Sequence, residues 1–183
     1  DAGYIEGKNV FFYQASASGD SAEQDNIANH FSEANYDLIY SLTTPGTLTL
    51  KKKIKHTPIV FSIVTYPADA GIIESFDYSG NNLVGTSNFV PIHHYINLTR
   101  EFFPTTKYVA IVHRKGEPNS NIQALNLRRQ LSKLNIKTVD LQPSSLQEVG
   151  ELLNAVIDEV DLVITTTDTL IQNGGEDIII KIA

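Results

Sequence analysis

The sequence predicts an α/β protein built as two lobes, each around a parallel sheet. Three observations lead there. Short apolar runs alternate with helical patterns along the 183 residues. Such alternation gives parallel strands joined by right-handed crossovers. Four of the runs, at 37–46, 58–67, 108–120 and 161–168, each end in a small polar cluster that starts a helix. Open α/β sheets bind ligands at the carboxyl ends of their strands. Finally, the segment 91–105 separates one series of strand–helix units, 1–90, from a second, 106–183.

The elements follow in order. Residues 10–15 are aromatic and β-branched, hence a strand. Ser21 with Gln24 three positions on resembles a capping box and opens a helix that runs to Ala34. The run 37–42 is nearly continuous in apolar residues, which suits a sheet covered on both faces. Thr44-Pro45 starts the next helix, with Thr as cap and Pro where no N–H is needed. A strand at 59–64, a short helix at 68–76, a turn at 79–82 and a strand at 83–86 complete the first series. A helix at 93–103 crosses over. Then come a strand at 108–113, a helix at 121–134, a strand at 136–141, a helix at 146–160, a strand at 161–165 and a helix from Gln172.

Composition narrows the function. The net charge is −7, with 14 basic against 21 acidic residues. A nucleic-acid partner would demand a basic face, and Lys51-Lys-Lys53 and Arg128-Arg129 read as solvated helix faces. The absence of Cys removes disulfides, thiolate metal sites and Cys nucleophiles. No run approaches the roughly 18 apolar residues of a membrane helix. No signal peptide is visible at the start, and the chain contains no Met, so it reads as processed, trimmed or partial.

No G-x-G-x-x-G follows a strand, and no phosphate-binding G-x-x-x-x-G-K-[ST] loop or G-x-S-x-G elbow occurs. Dinucleotide enzymes, P-loop NTPases and α/β-hydrolases lose ground accordingly. His93-His94 are adjacent and would point about 100° apart on a helix, which does not suit a metal. No cofactor is expected. His113 ends a strand, where it either lines a cleft or is hydrogen-bonded in place.

The strand-end clusters are the positive signal. Thr43-Thr44-Pro45-Gly46 brings hydroxyls and free helix N–H groups together, a ready site for a carboxylate. Simple capping also explains Thr44 and Pro45. Gly116-Glu-Pro-Asn-Ser120 again combines a turn with a cap. Thr165-Thr-Thr-Asp168 is a weaker cap and suggests exposed donors and acceptors. Tyr66 offers a flat apolar surface to a ring, or packs at an edge.

Read together, these residues resemble a family. Gly3-Tyr-Ile-Glu-Gly-Lys-Asn-Val10 is similar to the opening stretch of substrate-binding proteins of ABC transporters, in the group that includes tryptophan and other aromatic amino-acid binders. In register behind it stand Asp37-Leu-Ile with Thr44-Pro45, Pro58-Ile-Val-Phe61, Gly71-Ile-Ile-Glu-Ser75, Asn82-Leu-Val-Gly85 with Ser87, Gly116-Glu-Pro-Asn-Ser120 and Thr167-Asp168. The resemblance implies a type I periplasmic-binding fold, whose two Rossmann-like lobes close on a small solute by hinge motion. By position, it implies ligand contacts from Thr44, Pro45 and Gly46, Tyr66, Ser87 and Asn88, Glu117, Asn119 and Ser120, and Thr167 and Asp168. It also implies permease subunits as partners, a small solute such as an amino acid, and a periplasmic or extracellular location with lipid anchoring. The family commonly has Asp where this chain has Tyr66. Its members are longer, so the chain is expected to be incomplete at both ends.

Two other readings stand beside the importer component. The same domain serves as the sensor of a membrane receptor. A small α/β enzyme would use Glu117 and Asp168 as acids and His113 as base, but no nucleophile–base pair stands out and no catalysis is expected.

Overall fold

A computed structural model describes residues 2–183, Asp1 lying outside them. Two three-stranded parallel sheets organise the chain. The first has the order β1 (Ile39–Leu42), β2 (Ile59–Val64), β3 (Leu83–Ser87), with α1 (Ser21–Glu33) and α2 (Thr44–Lys53) packed on it. The second has the order β5 (Lys137–Leu141), β4 (Tyr108–Val112), β6 (Leu162–Thr165). α3 (Ile92–Phe102) and α4 (Pro118–Lys133) cover one face of it, α5 (Leu146–Asn154) and α6 (Glu176–Ile182) the other. This is the α/β architecture expected.

The second sheet shows why β4 is so apolar. Val109 and Ile111 point towards Leu127 and Leu131 of α4, while Ala110 and Val112 point towards Val149 and Leu153 of α5. These four of the five β4 residues are buried, Tyr108 half-buried. Each large aliphatic side chain so placed stabilises the fold by about 2 kcal/mol. At the strand's foot, Asp161 accepts from the backbone N–H groups of Lys107 and Tyr108 at 2.8 and 2.9 Å. Those bonds hold its carboxyl below the usual range and clamp the starts of β4 and β6 together.

The first sheet departs from expectation. Its β1 alternates rather than being buried on both sides: Ile39 and Ser41 face the helices, while Tyr40 and Leu42 are half or more exposed. Together with Leu38 and Val84 they leave one face of the sheet open. Residues 10–15 do not form a strand. Among the described residues, only an isolated bridge joins Glu6 to Val10, and 11–17 belong to neither sheet nor helix. The pattern there is strand-like, yet Tyr13 instead packs its ring 4.7 Å from His30 and 5.7 Å from Phe31 of α1. Residues 68–76 are turns rather than a helix: Gly71, at φ +70, breaks the chain after one loop closed by Ala70 N–H on the Tyr66 carbonyl at 2.8 Å.

Helix boundaries shift for identifiable reasons. Asp20, not Ser21, caps α1, accepting from the Glu23 N–H at 2.8 Å. α4 begins at Pro118 because Pro is well placed in a first turn. α5 ends at Asn154 and passes into turns. The last helix is broken at Asn173 and Gly174 (φ +114) before α6 starts.

Candidate functional site

The carboxyl ends of both sheets carry the polar clusters, and α2 and α4, whose N-termini lie at those ends, approach one another. In the first sheet, the chain leaves β1 through Thr43 at φ +67 and ψ 158. That conformation costs a β-branched residue on the order of 1–3 kcal/mol. It makes Thr43, rather than Thr44, the cap position, and Thr43 makes no side-chain capping bond. Its carbonyl accepts from the Thr47 N–H at 3.2 Å and hydroxyl at 2.7 Å. Thr44 is therefore the first helical residue. Its hydroxyl is 1% exposed and has no partner, so capping does not explain it. Pro45 and Gly46 complete the first turn, half-buried.

Tyr66 follows β2. Its ring is 2% exposed and meets Phe89 edge-on, with centroids 5.3 Å apart. Its hydroxyl has no hydrogen-bond partner. Burial, with neighbouring Tyr95 and Asp69, pushes the phenol up to about 12. The folded-state value lies above the unfolded one, near 10. Stability from this group is thus fully present below pH 10 and is lost as pH rises towards 12, a change of about 2 kcal/mol. Tyr66→Phe should remove that loss from the alkaline unfolding profile, which denaturation at stepped pH would measure. After β3, the Ser87 hydroxyl donates to the Thr65 carbonyl and accepts from the Phe89 N–H, each at 3.1 Å. Asn88 is exposed beside it.

In the second sheet, Asp168 is the hub. One carboxylate oxygen accepts from the Arg114 N–H at 2.9 Å and the Thr166 hydroxyl at 2.8 Å. The other accepts from the N–H groups of Leu170 and Ile171 at 3.0 and 2.8 Å. Of the cluster expected to be exposed, Thr166 and Asp168 are buried and Thr165 and Thr167 half-buried, and Asp168 caps the helical turn that begins at Thr169. Glu117 is likewise buried and accepts from the Thr169 hydroxyl at 2.6 Å. Ser120 donates to the carbonyls of Arg114 and Glu117, both at 3.0 Å. Asn119 donates to the Thr167 carbonyl at 2.6 Å, leaving its amide oxygen buried and unpartnered. Thr167 is held a second time, its N–H donating to Gln123 Oε1 at 2.9 Å. His113 is 2% exposed and sits 3.0 Å from Asp140, which also accepts from Arg128 and Gln142.

Sequence reasoning missed Arg114, Gln123 and Thr169. Gln123 lies four residues after Asn119 on α4, the spacing that puts both on one face. That signal was present in the sequence. Arg114 and Thr169 carry no such periodic mark.

Among the described residues, no group of three or more His, Asp or Glu is placed to hold a metal. No helix there is long and apolar enough to cross a membrane. The model of the family described as ABC transporter substrate binding protein matches residues 1–183. The chain belongs to the ABC transporter substrate-binding protein family. A tyrosine-binding protein of Clostridioides difficile is 30% identical over 171 residues, which are 93% of this chain and 50% of that protein. Among solved structures, a conserved domain protein from Vibrio cholerae superimposes with a TM-score of 0.90 at 28% identity, over 98% of this chain and 61% of that one. A Streptococcus pneumoniae domain in complex with L-Trp gives 0.81 at 20% identity, over 87% and 54%. The ligand-free, open structure of a Clostridium difficile substrate-binding protein with adhesive properties gives 0.62 at 28% identity, over 99% and 61%. The chain thus spans about half the length of the curated family member it matches. These parallel-sheet relatives have the periplasmic-binding architecture, and those named for a ligand bind an aromatic amino acid.

Proposed function

We propose that this chain supplies the cleft of an extracytoplasmic solute-binding component of an ABC-type importer, which closes two lobes on an amino-acid-like solute by hinge motion. One observation carries the reading. Among the described residues, four buried side-chain atoms lack a hydrogen-bond partner: Thr44 Oγ1, Tyr66 Oη, Asn119 Oδ1 and His113 Nδ1. The first three belong to residues that the strand-end pattern had marked for a ligand, and they come from both sheets. A buried polar atom without a partner costs about 1–3 kcal/mol. Three such atoms, each just past the carboxyl end of a strand, are best accounted for by a partner that arrives.

The chemistry suits an amino acid. The Thr44 hydroxyl and the open N–H groups at the start of α2 offer donors to a carboxylate. Asn119 Oδ1 offers an acceptor to an ammonium group. The rings of Tyr66 and Phe89 offer an aromatic wall. Glu117 and Asp168, already saturated by protein donors, position the second-sheet loops rather than perform acid–base chemistry. The tyrosine-binding relative supports an aromatic side chain in the ligand. Permease subunits would receive the loaded protein.

A thermal-shift screen of the full-length protein against the amino acids tests the proposal. Stabilisation by L-tyrosine or L-tryptophan is expected, about 2.7 kcal/mol at a hundredfold excess over Kd. No stabilisation by any amino acid would rule out this ligand class.

A further inference from the structure

We infer that Arg114 is a strap across the cleft, setting how far the two lobes close and hence how tightly the solute is held. The inference rests on the reading of the cleft as a solute site and deepens it. Arg114 follows β4, and its main chain is fixed on the second-sheet side. Its N–H donates to Asp168 at 2.9 Å and its carbonyl accepts from Ser120 at 3.0 Å. From that anchor the guanidinium reaches in two directions. Nη1 donates to Thr169 Oγ1 at 2.5 Å and stands 3.8 Å from Glu117 Oε2. Nη2 donates to the carbonyl of Gly19, 95 residues away in the chain, at 3.4 Å.

Gly19 belongs to the other side. It lies in the turn closed by the Asp20 N–H on the Ala17 carbonyl at 2.9 Å, immediately before α1. Because α1 leads into β1, its N-terminus lies at the carboxyl end of the first sheet, as does that of α2. Ser18 and Gly19 have φ of +48 and +87, so a two-residue left-handed turn presents the Gly19 carbonyl. A Cβ at Gly19 would stand 3.7 Å from Nη1, which confirms that the turn and the guanidinium are in contact.

Arg suits this position. Its planar fork serves two directions at once, whereas Lys offers a single point charge. Glu117 and Thr169 pre-organise the fork before it reaches Gly19, so little rotamer freedom is lost when the strap engages. Two solved relatives at the same 28% identity bear on the arrangement. The TM-score is 0.90 for one and 0.62 for the ligand-free, open structure, over almost all of this chain in both cases. The present arrangement therefore differs from that open one. A contact made only when the lobes are close raises the fraction of binding-competent molecules, and apparent affinity scales with that fraction.

The experiment uses the full-length protein with spin labels on α1 and α4, its Arg114→Gln and Arg114→Lys variants, and L-tyrosine as probe. For Arg114→Gln the ligand-free distance distribution should move to longer distances, and L-tyrosine should bind about tenfold more weakly, chiefly through faster release. Arg114→Lys should fall between, and near-UV circular dichroism should stay that of the parent. An unchanged ligand-free distribution in Arg114→Gln overturns the strap. So does an unchanged distribution accompanied by weaker L-tyrosine binding but unaltered tyramine binding, which would make Arg114 a carboxylate contact. If the parent protein binds no amino acid, the reading of the ligand fails, while the ligand-free distances still decide the strap.

Discussion

Asp168→Ala should destabilise the protein by about 4 kcal/mol, since each buried donor left without an acceptor costs about 1–3 kcal/mol and part of that is recovered by relaxation. The substitution strands four donors at once: the N–H groups of Arg114, Leu170 and Ile171 and the hydroxyl of Thr166. At 2% exposure the site admits no water to replace them without rearrangement. It also uncaps the helical turn that begins at Thr169 and frees the loop after β4 from the loop after β6. Asp168→Asn should cost roughly half as much, since one oxygen remains an acceptor while the new amide opposes donors. Urea unfolding followed by far-UV circular dichroism measures both. A loss below about 1 kcal/mol for the alanine variant would show that the network relaxes and that the hub is not one.

Gly85→Ala should be of similar size or should prevent folding. A Cβ there would lie 2.0 Å from the Phe61 carbonyl oxygen and 2.6 Å from two atoms of the Phe61 ring. Phe61 and Gly85 are register partners in β2 and β3, and Phe61 is 2% exposed in the core. Neither the backbone nor the ring can yield without parting the strands. Next to this contact the register shifts between Phe61 and Val64, with Ile63 at φ +56, so the ladder is already irregular there. Overpacking of this severity exceeds the usual 1–3 kcal/mol. Val84→Ala, at a position 63% exposed, serves as the control and should change stability by about 0.5 kcal/mol or less. Equal melting temperatures for the two variants would contradict the contact.

These two residues show what the sequence made legible. The strands were readable because β2, β4 and β6 are apolar runs flanked by turn residues, and the polar clusters were readable at their carboxyl ends. The burial of those clusters was not readable. Thr44 and Asp168 look alike as polar strand-end residues, yet one keeps a free hydroxyl and the other is saturated. That difference rests on the positive φ of Thr43 and, for Asp168, on three donors within three residues joined by one 54 residues away; neither the φ nor the distant donor leaves a local pattern. The strand expected at 10–15 failed for a related reason. An aromatic and β-branched run records a preference for a pleated, half-buried surface, and the described chain gives Tyr13 a helix to pack on instead. The contact from Arg114 to Gly19 is of the same long-range kind.

Calorimetry of L-tyrosine binding to the full-length protein and to its Thr44→Val and Tyr66→Phe variants decides whether the unpartnered hydroxyls hold the solute. Both substitutions remove a hydroxyl that has no partner within the protein, so neither should lower stability. The account predicts one site per molecule in the parent, and affinity reduced about tenfold in each variant with unfolding midpoints unchanged or raised. Variants that bind L-tyrosine as tightly as the parent would contradict it.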